Sequence, residues 1–172
     1  MNGSEIGHTP ANICEDCKAV VPEGKAGCLK IFEAVLVKDY SDFRYAKNHR
    51  LTVDVYSLQH PDAYMRSGKS FAAHLTGICS ALEHLEDTLA INQAVQRWLN
   101  GARIIDKPAE LPRDRGALTV MHIHSAADAE EHNRRVQEWA RSVWDSWSQY
   151  HALARKWIGE ASHYARMKAT ED

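Results

Sequence analysis

No stretch of this chain approaches the ~20 consecutive apolar residues of a membrane-spanning helix. No sign of charge dominates either. Lys and Arg number 21 against 23 Asp and Glu, a net of −2, which gives no electrostatic reason to expect nucleic acid or an anionic membrane as partner. Residues 1–13, "MNGSEIGHTPANI", carry neither the basic start nor the apolar stretch of a secretory leader. The expectation is a cytoplasmic protein whose thiols stay reduced. Internal repeats and low-complexity segments are missing, and so is the His-Glu-x-x-His signature of a metalloenzyme helix. "AYMRSGKS" ends in Gly68-Lys69-Ser70 as a phosphate loop does. Ala63 stands where that loop needs a glycine, however, and no strand precedes it, so the stretch reads as a loop with a helix cap.

What is present is a globular composition, 44% hydrophobic and 26% charged, at a length of 172 residues that suits one ordinary domain. Periodicity predicts a mostly α fold: a helical bundle with a long C-terminal helix and a small N-terminal zinc knuckle. After a loose arm at 1–13 and a turn-rich "VPEGKAG", a helix starts near Cys28 with Leu29, Phe32, Val35 and Leu36 on one stripe. "HRLTVDVYSLQHP" fits strand or helix; Leu51, Val55 and Leu58 favour a helix over 49–59, which Pro61 must stop. A third helix, 70–85, is expected to start at a Ser70 cap and to bury Phe71, Leu75, Ile78, Leu82 and Leu85. A fourth, 88–100, turns Ile91, Val95, Trp98 and Leu99 inward and ends at Asn100-Gly101. Residues 101–117 read as a surface loop and "LTVMHI" (118–123) as a short extended segment. Asp128 and Glu131 form a capping-box-like start for a helix over 128–158. Its seam, Val136, Ala140, Val143, Trp147, Tyr150, Ala154 and Trp157, alternates spacings of four and three. The tail at 159–172 is expected to fray, which leaves 14–158 as the single helical domain.

Three of the four cysteines, Cys14, Cys17 and Cys28, fall within sixteen residues. A tetrahedral Zn²⁺ takes thiolates and imidazoles, and Cys-x2-Cys in a tight turn aims two sulfurs at one ion. Cys28 returns at the first turn of the next helix, after Gly24 and Gly27. If the helices at 29–39 and 49–59 form an antiparallel hairpin, the start of the first lies beside the end of the second, and His60 completes the set. His49 would then lie more than about 15 Å away. His74, in the following helix, is the reserve fourth ligand. The competing reading is a redox Cys-x2-Cys, which belongs at a helix start after a strand. Here a polar arm precedes the motif, turn residues follow it, and Glu15 and Asp16 between the thiols disfavour thiolate. Cys79 reads as a buried small hydrophobe.

"CEDC", "HRLTVDVYSLQHP", "SFAAHL" and "HNRRVQEWARSVWDSW" resemble a bacterial family of small proteins known only as a domain of unknown function. The resemblance runs from Cys14 to about Trp157, and "LTVDVYSLQHP" is its most specific part. It implies importance for the two opening cysteines and the later one, and for His49, Asp54, His60, His74 and His124. His122 stands where that pattern has an acidic residue. The resemblance implies no activity.

Three functional readings follow. The first is a zinc-binding protein whose ion, held by Cys14, Cys17, Cys28 and His60, is mainly structural. The second is a metal-dependent enzyme with His49, Asp54, His74 and His124 as ligands or acid–base groups acting on an unidentified small molecule. It leans on architectural analogy with helical enzymes of the DinB-like kind. In that reading "HIH" at 122–124 puts both rings on one face if the segment is extended. The third is a partner-binding protein whose heptad seam buries against a second copy, giving a homodimer.

Overall fold

Punctuation in the sequence sets most of the helix boundaries. The structure, a computed structural model, describes residues 12–101 and 104–170, so the expected loose arm lies outside the described residues except at Asn12 and Ile13. Within the described residues the chain forms eight helices and no strand. They are α1 (Lys25–Ser41), α2 (His49–Gln59), the single turn α3 (Pro61–Tyr64), α4 (Gly68–Glu83), α5 (Thr88–Asn100), the short α6 (Val120–His124), α7 (Ala129–Ser146) and α8 (His151–Ala169). The expected helical bundle is therefore the fold, and it ends on a helix of 19 residues. No helix of the described residues is long and apolar enough to cross a membrane.

Pro61 has no N–H to continue α2, and the chain bends at His60 (φ −125°, ψ 57°) before α3 begins. Ser67, three residues ahead of the expected Ser70, caps α4. Its hydroxyl accepts the Ser70 N–H at 3.1 Å, and the Ser70 hydroxyl accepts the Ser67 N–H at 3.1 Å. Ser67→Ala removes one arm of this box and is expected to cost about 1 kcal/mol. Thermal melts would show it as a drop of about 2–4 °C in a chain of this length.

α4 is the hub of the bundle, packed by α2, α5, α7 and α8. Phe71, Leu75, Ile78 and Cys79 are wholly buried, and Leu82 is partly so. Leu85 falls past the end of the helix and is exposed. Phe71 meets Trp147, Tyr150 and Trp157 at centroid distances between 5.5 and 6.1 Å, in tilted and edge-on geometries that suit aromatic quadrupoles.

Three expected elements differ. The continuous helix over 128–158 is two helices, α7 and α8, separated by a 3₁₀ turn at Ser148–Tyr150. No proline or glycine marks the break. Tertiary anchors set it: Tyr150 Oη donates to the Glu110 carbonyl, and the His151 ring stacks on Trp144 at 3.8 Å and donates from Nε2 to the Trp144 carbonyl at 2.8 Å. The seam residues Val136, Ala140, Val143, Trp147 and Ala154 are nevertheless fully buried within one chain. Residues 120–124 are helical instead of extended, because Thr119 Oγ1 accepts the Met121 N–H and starts a turn. Past Gly159 the tail, expected to fray, is helical as far as Ala169.

α1 and α2 run antiparallel and in step. Cys28 faces His60, Phe32 stacks on Tyr56 at 3.7 Å with the rings 2° from parallel, and Asp39 faces His49. Gln59, fully buried at the end of α2, joins three elements. Its amide donates to the Arg115 and Leu118 carbonyls at 2.8 and 2.9 Å, and its carbonyl accepts the Trp139 indole N–H at 3.0 Å. These bonds hold the α2 terminus, and His60 with it, in a fixed position.

Candidate metal centre

The knuckle is built from backbone turns. Ile13 and Val20 form an isolated antiparallel bridge, and between them the Cys14 N–H donates to Ala19 O and the Lys18 N–H to Cys14 O, both at 2.9 Å. Lys18 sits at φ 64°, the left-handed conformation that reverses the chain so sharply. The N–H of Cys17 points at Cys14 Sγ and that of Ala19 at Cys17 Sγ, so the turn itself solvates two sulfurs. A second reversal, at Glu23 (φ 65°) and Gly24 (φ 57°), leads into α1. Gly27 has no alternative residue here, since a Cβ would lie 1.8 Å from the Pro22 carbonyl oxygen. Cys28 follows on the first turn of α1.

These turns bring three sulfurs to the imidazole at the end of α2. The Sγ atoms of Cys14, Cys17 and Cys28 and Nε2 of His60 lie within 4.8 Å of one another, all four residues buried. Cys17 and Cys28 Sγ are 3.7 Å apart, and Nε2 is 3.5 Å from both Cys14 Sγ and Cys28 Sγ. A tetrahedron with Zn–S near 2.3 Å and Zn–N near 2.0 Å has edges of about 3.7 Å between sulfurs and about 3.5 Å between sulfur and nitrogen. The group can hold a metal ion. His60 Nδ1 lies 2.8 Å from the Tyr56 carbonyl oxygen, which only accepts. Nδ1 therefore carries the proton, and Nε2 faces the sulfurs with its lone pair. The Tyr56 ring stacks on His60 at 3.9 Å, and its hydroxyl donates to Cys28 Sγ at 3.7 Å.

The three thiols shift one another strongly. Hydrogen bonds from Cys17 and Cys28 draw the Cys14 thiol far below the ordinary range. Cys17 is driven far above it by the bond it donates to Cys14, and Cys28, for the same reason, up to about 11. One thiolate forms easily, but a second beside it is opposed unless positive charge sits between them. All four cysteines are free thiols. Arg115 and Lys25 add outer support: Arg115 Nη1 reaches Gln59 O at 3.1 Å and Asp16 Oδ1 at 3.4 Å, and Lys25 pairs with Asp16 at 2.7 Å.

The other candidate residues lie elsewhere. The structure brings His60, and not His74, to the cysteines. His74 Nδ1 instead bonds Asp54 Oδ1 at 2.9 Å across α4 and α2, and Arg50 Nε bonds both oxygens of the same buried carboxylate. His49 Nδ1 bonds Asp39 Oδ2 at 3.1 Å. His132 Nε2 lies 3.0 Å from Asp39 Oδ1 but out of line for a hydrogen bond. His124 is exposed, and His122 pairs with Glu138 at 2.9 Å. Helical geometry turns these two rings to different sides, where an extended strand would have aligned them. Among the described residues, no three of His49, Asp54, His74 and His124 approach closely enough to share a metal ion. Cys79 is buried, as expected, and its thiol is pushed up to about 12 by that burial.

Sequence reasoning missed Asp39, His132 and Arg50. Arg50 and Asp54 were visible as an i, i+4 pair. Asp39 and His132 are too far apart in the chain to signal each other.

The fold and site define a mostly α protein with a buried Cys₃His centre at its N-terminal edge. The chain belongs to a family of unknown function, DUF5946, which it matches over residues 12–148, a span that contains all four residues of the centre. No curated protein and no solved structure matches it.

Proposed function

We propose that this is a zinc-binding helical protein in which the ion, held by Cys14, Cys17, Cys28 and His60, is structural. The observation that carries the reading is the ligand-atom geometry: all four atoms within 4.8 Å, Cys17 and Cys28 Sγ 3.7 Å apart and His60 Nε2 3.5 Å from Cys14 and Cys28 Sγ, with Nδ1 of His60 held by the Tyr56 carbonyl. Three thiolates and an imidazole favour zinc over the hard cations, which prefer oxygen. Four protein ligands complete a tetrahedron and leave no position for substrate or water, so the ion holds parts together and does no chemistry. Those parts are the Cys-x2-Cys turn, the start of α1 and the end of α2.

Elemental analysis of freshly purified chain, beside a Cys14→Ser/Cys17→Ser variant, tests the proposal. The expected result is about one zinc per wild-type chain and a loss of that zinc in the variant. Zinc retained by the variant, or a wild-type chain that takes up none when it is supplied, would overturn it.

A further inference from the structure

A cleft of about 450 Å³ lies away from the cysteines, lined by Arg50 of α2 and by Asn92, Gln93, Gln96 and Arg97 of α5. The lining offers two guanidinium groups and three carboxamides, and no carboxylate. We propose that this cleft binds a small phosphorylated molecule with hydroxyl groups, of the sugar-phosphate class. Arg50 and Arg97 take the phosphate, and the carboxamides take the hydroxyls. The proposal is independent of the metal reading.

The two arginines are prepared in different ways. Arg50 is held: Nε bonds both oxygens of Asp54, at 3.1 and 2.9 Å, and Nη2 reaches the Ala73 carbonyl at 3.5 Å. Asp54 has no exposed side-chain surface and is fixed from its other side by His74 Nδ1 at 2.9 Å. The guanidinium is thus set in one plane, half exposed, with Nη1 unpaired among the described residues. A fixed fork loses little entropy when it meets an oxyanion. Arg97 is exposed and has no hydrogen-bond or ion-pair partner among the described residues, so it adds a cation that no carboxylate of those residues neutralises. A bare phosphate needs far less room than this, whereas clefts of ~300–1,000 Å³ suit small organic ligands. Gln93 and Gln96 each offer both a donor and an acceptor, and Asn92, whose Oδ1 accepts the Ser80 hydroxyl at 3.1 Å, adds the donors of its amide nitrogen, which together match hydroxyl groups.

The test uses the full chain and follows the arginine Nε–H signals by NMR while glucose 6-phosphate, inorganic phosphate or glucose is added at constant ionic strength. The expected result is saturable movement of the Arg50 and Arg97 signals with the sugar phosphate, weaker movement with phosphate and none with glucose. Arg97→Gln, which breaks no hydrogen bond or ion pair among the described residues, is expected to weaken binding about tenfold or more, as the loss of a charge-assisted bond would. Its melting temperature should stay unchanged. Lack of saturation by the sugar phosphate, glucose binding as tightly as the sugar phosphate, or equal binding by Arg97→Gln and wild type would overturn the proposal. Equal affinity for phosphate and sugar phosphate would overturn the part assigned to the carboxamides.

Discussion

Cys17→Ser is expected to lower the melting temperature by about 10 °C or more. The exchange of sulfur for oxygen scarcely changes volume, so the cavity term is small and the effect reports the ion. Structural zinc sites contribute folding energy directly, and losing one of the four ligands at a buried centre should cost about 3–5 kcal/mol. At about 2–4 °C per kcal/mol for a chain of this size, that is a large shift. Wild-type protein stripped by a chelator should melt near the variant, and added zinc should restore the wild type only. Cys79→Ser is the control: the thiol is equally buried but only contacts Glu83 at 3.7 Å. Its zinc content should not change. A Cys17→Ser chain that melts with the wild type would remove the structural role of the metal.

The second large effect is expected at Gly77 on α4. A Cβ there would stand 2.1 Å from Asp54 Oδ2 and 2.7 Å from its Cγ, so the carboxylate lies directly on the helix backbone. The carboxylate has no room to retreat, being fully buried and bonded by Arg50 and His74. Gly77→Ala must therefore either part α2 from α4 or break the ion pair. Overpacking costs about 1–3 kcal/mol and a disturbed buried pair about 3–5 kcal/mol, which suggests a loss near 4 kcal/mol. The gain in helix propensity from glycine to alanine, about 1 kcal/mol, does not offset it. A double-mutant cycle with Asp54→Ala separates the causes. With the carboxylate gone, the added methyl group should cost little, and strong non-additivity is the expected signature. Purely additive losses would mean that Gly77 matters for another reason.

Much of this arrangement was legible because it rests on local rules. The bounds of α2 and α5 follow from Pro61 and from Asn100-Gly101, and the capping residues Asp128 and Glu131 start α7 as their spacing implies: Asp128 Oδ1 accepts the Glu131 N–H at 2.8 Å. His60 could be singled out as a partner for Cys28 because an antiparallel helix pair puts the start of one beside the end of the other. The rest depends on contacts with no local trace. Nothing in the residues around Trp147 announces a break; the bond from Tyr150 to the Glu110 carbonyl, 40 residues earlier, and the packing of Trp147 and Tyr150 on Phe71 hold it. The Asp39 and Asp54 clusters draw partners from separate helices, so a list of histidines could suggest one polar site where the structure has two.

His60 closes α2 and opens α3, and its ring reaches back to a turn that begins 46 residues earlier. A disulfide could tie one such point to another. A tetrahedral ion, bound there as proposed, would tie three segments at once, reversibly and without an oxidant. In topological terms the centre is a three-way junction. Under the proposed reading its closure would depend on the supply of metal instead of on strand pairing.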